Sequence, residues 1–217
     1  SFGLDVRVVT FSDYVSVNEA LVDKNLDANA FQHVPYMEEF EKKRGVKLSV
    51  AGKTFLYPMG VYSRKVKSLS ELAEGAKISI PNDPSNEGRA LMILEQAGLI
   101  RLKAGVGIAG TVFDVVENPK KLDLRTLDAA QLPRALEDVD AAVINTNYAK
   151  PAGLTHEKDT IFVEQTSSPY TNVITTRQDN ASDPRVAAFV KAYQSKQVAE
   201  KAKELFGASA VPGFSNL

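Results

Sequence analysis

Short hydrophobic segments alternate with segments of helical spacing along most of the chain. A valine-rich alternation of apolar and polar residues predicts a strand at 5–11, and apolar β-prone segments recur further on. Between them, apolar residues three and four positions apart predict helices, most clearly in "NDPSNEGRALMILEQAG". Because strands and helices take turns, the pattern predicts an α/β fold with mainly parallel sheets.

Capping residues indicate where several helices begin and end. Asp13 precedes the first helix, while Pro35 and Gly45 bound the second. Gly98 closes the third, and the tail predicts two consecutive helices or one helix broken near Ser195. Shorter helices are predicted over "SLSELAEG" and "AAQLPRALED", and further strands over "LDANAF", "KISIP", "LDLRTLD", "VDAAVI", "TIFVEQ" and "NVITTR".

Two segments are candidates for chain crossings between lobes. The long β-prone segment "LSVAGKTFLYPMGVYSRK" contains Pro58 and Gly60, which predict a bend or a change of sheet. The segment "TSSPYT" at 166–171 is the second candidate, and no Gly/Ser-rich linker divides the chain. Two crossings predict a two-lobed protein with a cleft between the lobes. The predicted lobes are 1–56 plus 168–217 and 57–167.

The composition excludes several classes of protein. The 217 residues are 44% hydrophobic and 24% charged, which is typical of a globular protein. A net charge of −1 gives no field that would attract nucleic acid. The absence of cysteine excludes disulfides, thiolate metal sites and a cysteine nucleophile. No apolar run reaches the ~18 residues of a membrane span.

Motifs for catalysis and for cofactors are missing. The sequence has no GxGxxG, no phosphate-binding GxxxxGK[ST] and no GxSxG, so no cofactor is expected. Its two histidines, His33 and His156, lack metal-ligand spacing, and His156 stands in a surface-like "LTHEKD". A Ser-His-Asp triad is disfavoured by the shortage of histidines but stays open. These observations favour a binding protein over an enzyme.

The stretch "NAFQHVPY" at 29–36 concentrates large amphipathic side chains in a turn between two elements. Phe31, His33 and Tyr36 are predicted to wall a pocket for a small amino acid, and the alternative is a well-packed corner. Tyr14, at the end of the first predicted strand, joins them as a candidate, although a core position is the simpler interpretation for it alone.

Arg89 is predicted to lie in the first turn of the "SNEGRALMI" helix, where the helix dipole disfavours a cation. One interpretation is that Arg89 and the helix N-terminus bind an anion, since a guanidinium holds a carboxylate with two parallel hydrogen bonds. The other is a surface arginine paired with Glu87 or Asp83.

Amide and tyrosine side chains follow two later strands. "VINTNYA" places Asn145, Asn147 and Tyr148 after a buried strand, and "SPYTNV" places Tyr170 and Asn172 at the second crossing. Each is a candidate ligand contact, with a purely conformational role in the loop as the alternative.

Five collinear blocks resemble one known family. The blocks "FQHVPYMEEF", "IPNDPSNEGRAL", "VENPKKL", "LPRALEDVDAAVINTNYA" and "SPYTNV" together resemble the methionine-binding lipoproteins of bacterial ABC importers, the NlpA-type family. The resemblance implies a two-lobed α/β periplasmic-binding-protein (type 2) fold. It also implies L-methionine as the usual ligand, with D-methionine or methionine-containing dipeptides as alternatives, and delivery to an ABC permease driven by its ATPase.

The resemblance also implies which residues bind the ligand. Tyr14, Phe31, His33 and Tyr36 match the family's side-chain pocket, Arg89 its carboxylate ligand, and Asn147 and Asn172 the polar groups that hold the amino-acid backbone. Family members have a strand, a helix and a lipid-bearing cysteine before the segment that this chain begins with. Upstream residues, a lipid anchor and a location in the periplasm or at the cell surface are therefore expectations from the resemblance.

Two other classes stay open. An enzyme on the same architecture would use His33 as a general base, although acid/base partners near it in sequence are few. A ligand-sensing domain of a transcription factor would need a fused DNA-binding module, and no basic helix-turn-helix segment is present in the sequence.

Overall fold

The computed structural model describes residues 3–165 and 168–215. The α-helices are α1 (Val15–Val22), α2 (Val34–Arg44), α3 (Pro84–Gln96), α4 (Leu132–Ala135), α5 (Thr146–Ala149), α6 (His156–Asp159), α7 (Pro184–Tyr193) and α8 (Lys196–Phe206). The strands are β1 (Ala28–His33), β2 (Leu48–Lys53), β3 (Phe55–Leu56), β4 (Gly60–Tyr62), β5 (Lys77–Pro81), β6 (Arg101–Leu102), β7 (Val115–Glu117), β8 (Asp123–Leu127), β9 (Ala141–Ile144), β10 (Thr160–Val163), β11 (Asn172–Arg177) and β12 (Val211–Pro212).

The chain divides into two units, Ser1–Tyr57 with Ser167–Leu217 (unit 1) and Pro58–Thr166 (unit 2). In unit 1, β11 lies between β1 and β2 and is antiparallel to both, while β12 pairs with β3. In unit 2, the main sheet has the order β10-β4-β9-β5-β8. There, β5 is parallel to β8 and β9, whereas β4 is antiparallel to β9 and β10.

The prediction of mainly parallel sheets is therefore wrong. Parallel pairing is confined to one side of the unit 2 sheet, where helices lie between the successive strands β5, β8 and β9. The short consecutive strands β6 and β7 form an antiparallel pair, and the remaining strands pair with strands from distant parts of the chain. Because no helical crossover links such partners directly, the alternation of elements does not fix their relative direction.

The strand predicted at 5–11 is also wrong, because residues 4–11 have neither helical nor strand structure. Val6, Val8 and Val9 are exposed, Val8 to 79%. Alternation and valine content report a β propensity, but a strand exists only where a second main chain accepts and donates its hydrogen bonds. In the described part of the chain, no strand pairs with this segment.

Predictions that rest on local capping chemistry are confirmed. The Asp13 carboxylate accepts the Ser16 N–H at the start of α1, at 2.8 Å. Gly45 ends α2 with φ of 70°, a left-handed conformation that suits glycine. The tail is broken at Ser195, which caps α8. One short helix differs, since "SLSELAEG" contains only a 3-10 turn, Leu69–Glu71.

The first predicted crossing is a change of sheet. β2 belongs to the sheet of unit 1, and β4, after Pro58, belongs to the sheet of unit 2. Residues 166 and 167, at the start of the second predicted crossing, lie outside the described residues.

The core of unit 2 lies between α3 and the central strands β5 and β9. Ile78, Ile80, Leu91, Leu94 and Val143 are fully buried there. Unit 1 has smaller clusters, one around Leu21, Met37 and Leu48, and an aromatic one around Phe55. The large core of unit 2 holds α3 on the sheet, and α3 carries Arg89.

Gly88 lets a turn approach α3 closely, and we expect Gly88→Ala to destabilise the protein. A Cβ atom at this position would overlap with the carbonyl group of Ile108. Alanine normally stabilises a helix relative to glycine by about 1 kcal/mol. Here overpacking against backbone outweighs that gain and lowers the free energy of unfolding by about 1–3 kcal/mol. Urea denaturation measures the change, and a stabilised variant would contradict it.

Candidate functional site

Unit 1 brings five aromatic side chains together, and we call Tyr14, Phe31, His33, Tyr36 and Tyr170 the aromatic cluster. The rings of Tyr14, Phe31 and Tyr36 form a triangle with centroid distances of 5.7–5.9 Å. The His33 ring lies 6.4 Å from Tyr36 and 5.1 Å from Tyr170, edge-on to both. The three rings of the triangle are only partly buried, so the cluster presents accessible aromatic surface.

Three consecutive elements position four of the five rings, and Tyr170 comes from the turn before β11. Tyr14 stands at the N-terminal end of α1, and Phe31 and His33 come from β1. His33 is the N-cap of α2, and its Nδ1 accepts the Tyr36 N–H at 3.2 Å. The extended backbone of His33, with φ −92° and ψ 164°, ends the strand and begins the helix. The turn that "NAFQHVPY" forms therefore sets the ring positions directly.

The capping bond also fixes the role of one ring nitrogen of His33. Nδ1 accepts the Tyr36 N–H, so this nitrogen acts as a hydrogen-bond acceptor in the turn.

Asn172 joins the cluster through the strand ladder. It pairs with His33 where β11 meets β1. Its Nδ2 donates to the main-chain carbonyl of Phe31 at 3.2 Å. Of the residues predicted from the sequence, unit 1 thus assembles Tyr14, Phe31, His33, Tyr36 and Asn172 at one place.

In unit 2, Arg89 is buried and forms a bidentate ion pair with Glu164. Its Nε lies 2.8 Å from Glu164 Oε1, and its Nη2 lies 2.6 Å from Oε2. Both side chains are less than a twentieth exposed. Glu164 also accepts the Met59 N–H at 2.9 Å. The pair is neutral as a whole, and two of the five guanidinium donors are directed at Glu164.

The surface interpretation of Arg89 is therefore wrong. Arg89 is the sixth residue of α3, beyond its first turn. Asp83 instead caps the helix and accepts from Asn86 and Ser85. Burial raises the pKa of Asp83, and those hydrogen bonds oppose the shift. Glu87 accepts the Val112 N–H at 3.0 Å, and burial raises its pKa as well.

The predicted amide ligand Asn147 is exposed on α5. Its neighbour Asn145 is the buried amide, with Nδ2 at 3.4 Å from Asn86 Oδ1, a long hydrogen bond. Thr146, between them, donates to the Pro58 carbonyl at 2.7 Å and fixes the turn after β9. The two asparagines therefore lie in different environments, one buried and one exposed. Their spacing in the sequence did not predict this difference.

The sequence gives no sign of Glu164, and it names Tyr170 as a candidate contact without placing it beside His33. Glu164 lies 75 residues from Arg89 and carries no motif, so no local signal points to it. Tyr170 stands in the quoted "SPYTNV" block, and its burial against His33 makes it part of the cluster. His156 is not at the surface, since it is half-buried with its ring 6.1 Å from Tyr62, and burial lowers its pKa.

No helix among residues 3–165 and 168–215 is long and apolar enough to cross a bilayer. In the same ranges, no group of three or more His, Asp or Glu side chains is arranged to hold a metal ion.

Comparisons with known proteins agree with one another. The sequence model of the family described as NlpA lipoprotein matches residues 1–214. The D-methionine-binding lipoprotein MetQ of Escherichia coli strain K12 is 54% identical over 215 residues, which are 98% of this chain and 79% of that protein. A nutrient binding protein from Burkholderia cenocepacia bound to methionine has a TM-score of 0.95 at 53% identity, covering 98% of this chain and 89% of that one. An ABC transporter periplasmic substrate-binding protein from Coxiella burnetii has a TM-score of 0.94 at 51% identity, with the same coverage.

The structural neighbours confirm the predicted fold class, the α/β fold of periplasmic substrate-binding proteins. The resemblance in the five sequence blocks is confirmed by a match that extends along almost the whole chain. On this evidence the chain belongs to the NlpA lipoprotein family.

Proposed function

We propose that the chain is the substrate-binding component of an ABC importer and that methionine is its ligand. The family match, the methionine-binding relative and the methionine-bound structural neighbour support this proposal. The observation that carries it is the aromatic cluster, in which three partly exposed rings and the His33 imidazole converge within unit 1.

The cluster suits a thioether side chain. Sulfur is polarisable and packs against ring edges, with a gain of about 0.3–1.5 kcal/mol for each contact. Tyr14, Phe31 and Tyr36 offer rings tilted or perpendicular to one another, so one flexible, unbranched side chain can contact more than one edge. We propose that these residues and His33 contact the methionine side chain.

The charged groups of the ligand need partners of their own, because an uncompensated buried charge opposes binding. We propose Arg89 for the carboxylate, and Asn147 and Asn172 for the polar groups of the amino-acid backbone. Since Glu164 compensates the charge of Arg89, carboxylate binding there depends on directed hydrogen bonds rather than on net charge. The Nδ2 group of Asn172 donates to the Phe31 carbonyl. The Oδ1 atom of Asn172 is therefore the one that we propose accepts from the ligand ammonium.

The remaining assignments follow from the family. We propose that the two lobes expected from the sequence correspond to units 1 and 2. We further propose that the protein acts as a receptor without catalytic activity in the periplasm or at the cell surface, is anchored by lipid, and delivers its ligand to an ABC permease and its ATPase. The lipoprotein family and the periplasmic neighbour support this placement.

The first experiment is mass spectrometry of the small molecules released when the purified protein is denatured. We expect methionine in near-stoichiometric amount. Calorimetry on refolded, ligand-free protein with L-methionine, D-methionine and a methionine dipeptide then ranks the ligands. A free methionine concentration of a hundred times the Kd would raise the free energy of unfolding by about 2.7 kcal/mol. No released ligand and no heat with any of the three would contradict the proposal.

A further inference from the structure

A buried hydrogen-bond network lies beside the aromatic cluster in unit 1. It consists of Asn18 from α1, Asn29 and Gln32 from β1, and Thr175 from β11, and we call it the amide lock. Each of the four residues is less than a tenth exposed, and Asn18 and Thr175 are fully buried. Polar side chains this deep are unusual unless they satisfy one another.

Gln32 is the centre of the amide lock. Asn18 Nδ2 donates to Gln32 Oε1 at 2.7 Å, and Gln32 Nε2 lies 2.8 Å from Asn18 Oδ1, so the two amides pair reciprocally. Gln32 Nε2 also lies 3.2 Å from both Asn29 Oδ1 and Thr175 Oγ1. Asn29 closes the network by donating to Asn18 Oδ1 at 3.0 Å.

The amide lock spans an irregularity in β1. Asn29 pairs with Thr175, and Gln32 pairs with Val173, so three steps along β1 match two steps along β11. The extra residue is a β-bulge, which re-aims the side chains around it. In a regular strand Asn29 and Gln32 would face opposite sides, whereas here both bond to Asn18.

Phe31 and His33 flank Gln32 in the sequence and face the other way. Gln32 and His33 are consecutive ladder residues after the bulge, so their side chains alternate and His33 faces the side opposite the amide lock. Phe31 lies within the bulge, and its ring contacts give its direction. The rings of Phe31 and His33 both pack on Tyr36, which agrees with this direction. Asn172, on the neighbouring strand β11, donates from its Nδ2 to the main-chain carbonyl of Phe31, which lies within the bulge.

We propose that the amide lock is the positioning device of the aromatic cluster. It fixes the bulge register of β1 against α1 and β11. A slip of one residue would turn Gln32 towards the aromatic cluster in place of Phe31 or His33. A packed apolar contact lacks that directionality, whereas the five amide and hydroxyl hydrogen bonds of the amide lock fit only one register. This inference rests on the proposed function, since it assigns to Asn18, Asn29, Gln32 and Thr175 a role in methionine affinity without contact to the ligand.

Two adjacent threonines of β11 supply a matched test. Thr175 and Thr176 are both fully buried, but Thr175 Oγ1 accepts from Gln32, whereas Thr176 Oγ1 has no partner among the described residues. We expect Thr175→Val to lower methionine affinity about 5- to 20-fold, and Thr176→Val to leave it within about twofold. Thr175→Ser retains the hydroxyl and should restore most of the affinity. Gln32→Met removes the centre of the lock and should have the largest effect.

Affinity is measured by calorimetry at a temperature at which each variant is fully folded, so that a loss of stability alone does not lower it. Nuclear Overhauser contacts between the rings of Tyr14, Phe31 and Tyr36 are recorded in the ligand-free protein. We expect these contacts to weaken in Thr175→Val and to persist in Thr176→Val. If Gln32→Met does not fold, the comparison of Thr175→Val with Thr176→Val still tests the positioning role.

The outcomes separate this inference from the proposed function. If wild-type protein binds methionine and Thr175→Val binds it as tightly as Thr176→Val, with unchanged ring contacts, the positioning role is wrong and the function stands. If wild-type protein binds no methionine, the proposed function is wrong. The ring contacts then decide the positioning role alone, which is overturned if Thr175→Val preserves them.

Discussion

Arg89→Met lowers the free energy of unfolding by about 3–5 kcal/mol, because it leaves the Glu164 carboxylate buried without its partner. Glu164 then keeps only the Met59 N–H as a described donor. Chemical denaturation followed by circular dichroism measures the loss. Arg101→Met is the matched control, since Arg101 pairs with Glu117 at the surface and such exposed pairs contribute about 0–1 kcal/mol.

The double variant Arg89→Met/Glu164→Gln separates stability from binding. Glutamine is neutral and retains an oxygen that can accept the Met59 N–H, so the double variant should regain at least half of the lost stability. Both Arg89→Met and the double variant should lose methionine binding, because we propose that the Arg89 guanidinium holds the ligand carboxylate. A stable double variant that binds methionine as tightly as wild type would show that Arg89 has only a structural role in unit 2. Unchanged stability in Arg89→Met would contradict the buried ion pair itself.

Phe31→Leu lowers methionine affinity by about 2–3 kcal/mol, which is about 30- to 150-fold. Leucine keeps the position apolar but removes the ring that packs on Tyr14 and Tyr36 at 5.9 and 5.8 Å. Both the ring surface offered to the ligand and the mutual orientation of the two tyrosines are lost. Calorimetric titration with methionine gives the change directly.

Norleucine identifies how much of this loss comes from sulfur, because it replaces the thioether by a methylene group. We expect wild-type protein to bind methionine more tightly than norleucine. In Phe31→Leu the ratio of the two affinities should fall towards one. Phe113→Leu is the control, since Phe113 is 94% exposed in unit 2 and should affect neither ligand. Equal losses for both ligands in Phe31→Leu would show that the ring supplies apolar surface without a specific contact to sulfur.

The sequence by itself determined the elements whose causes are local. Asp13, Gly45 and Ser195 act on the backbone within three or four residues, so the helix ends that they set follow from the sequence. The short turn "NAFQHVPY" likewise brought Phe31, His33 and Tyr36 together, because a strand end and a helix start lie in eight consecutive residues. The quoted blocks were also sufficient to indicate the family.

Only the tertiary structure decided the features that depend on distant partners. The segment 5–11 has the composition of a strand but no strand to pair with in the described chain, and the direction of most strand pairs follows from where the chain returns. Glu164 meets Arg89 across 75 residues, and Thr175 meets Gln32 across 143. The physical reason is that a hydrogen bond or ion pair needs two groups within about 3 Å, whereas periodicity and capping describe one segment at a time.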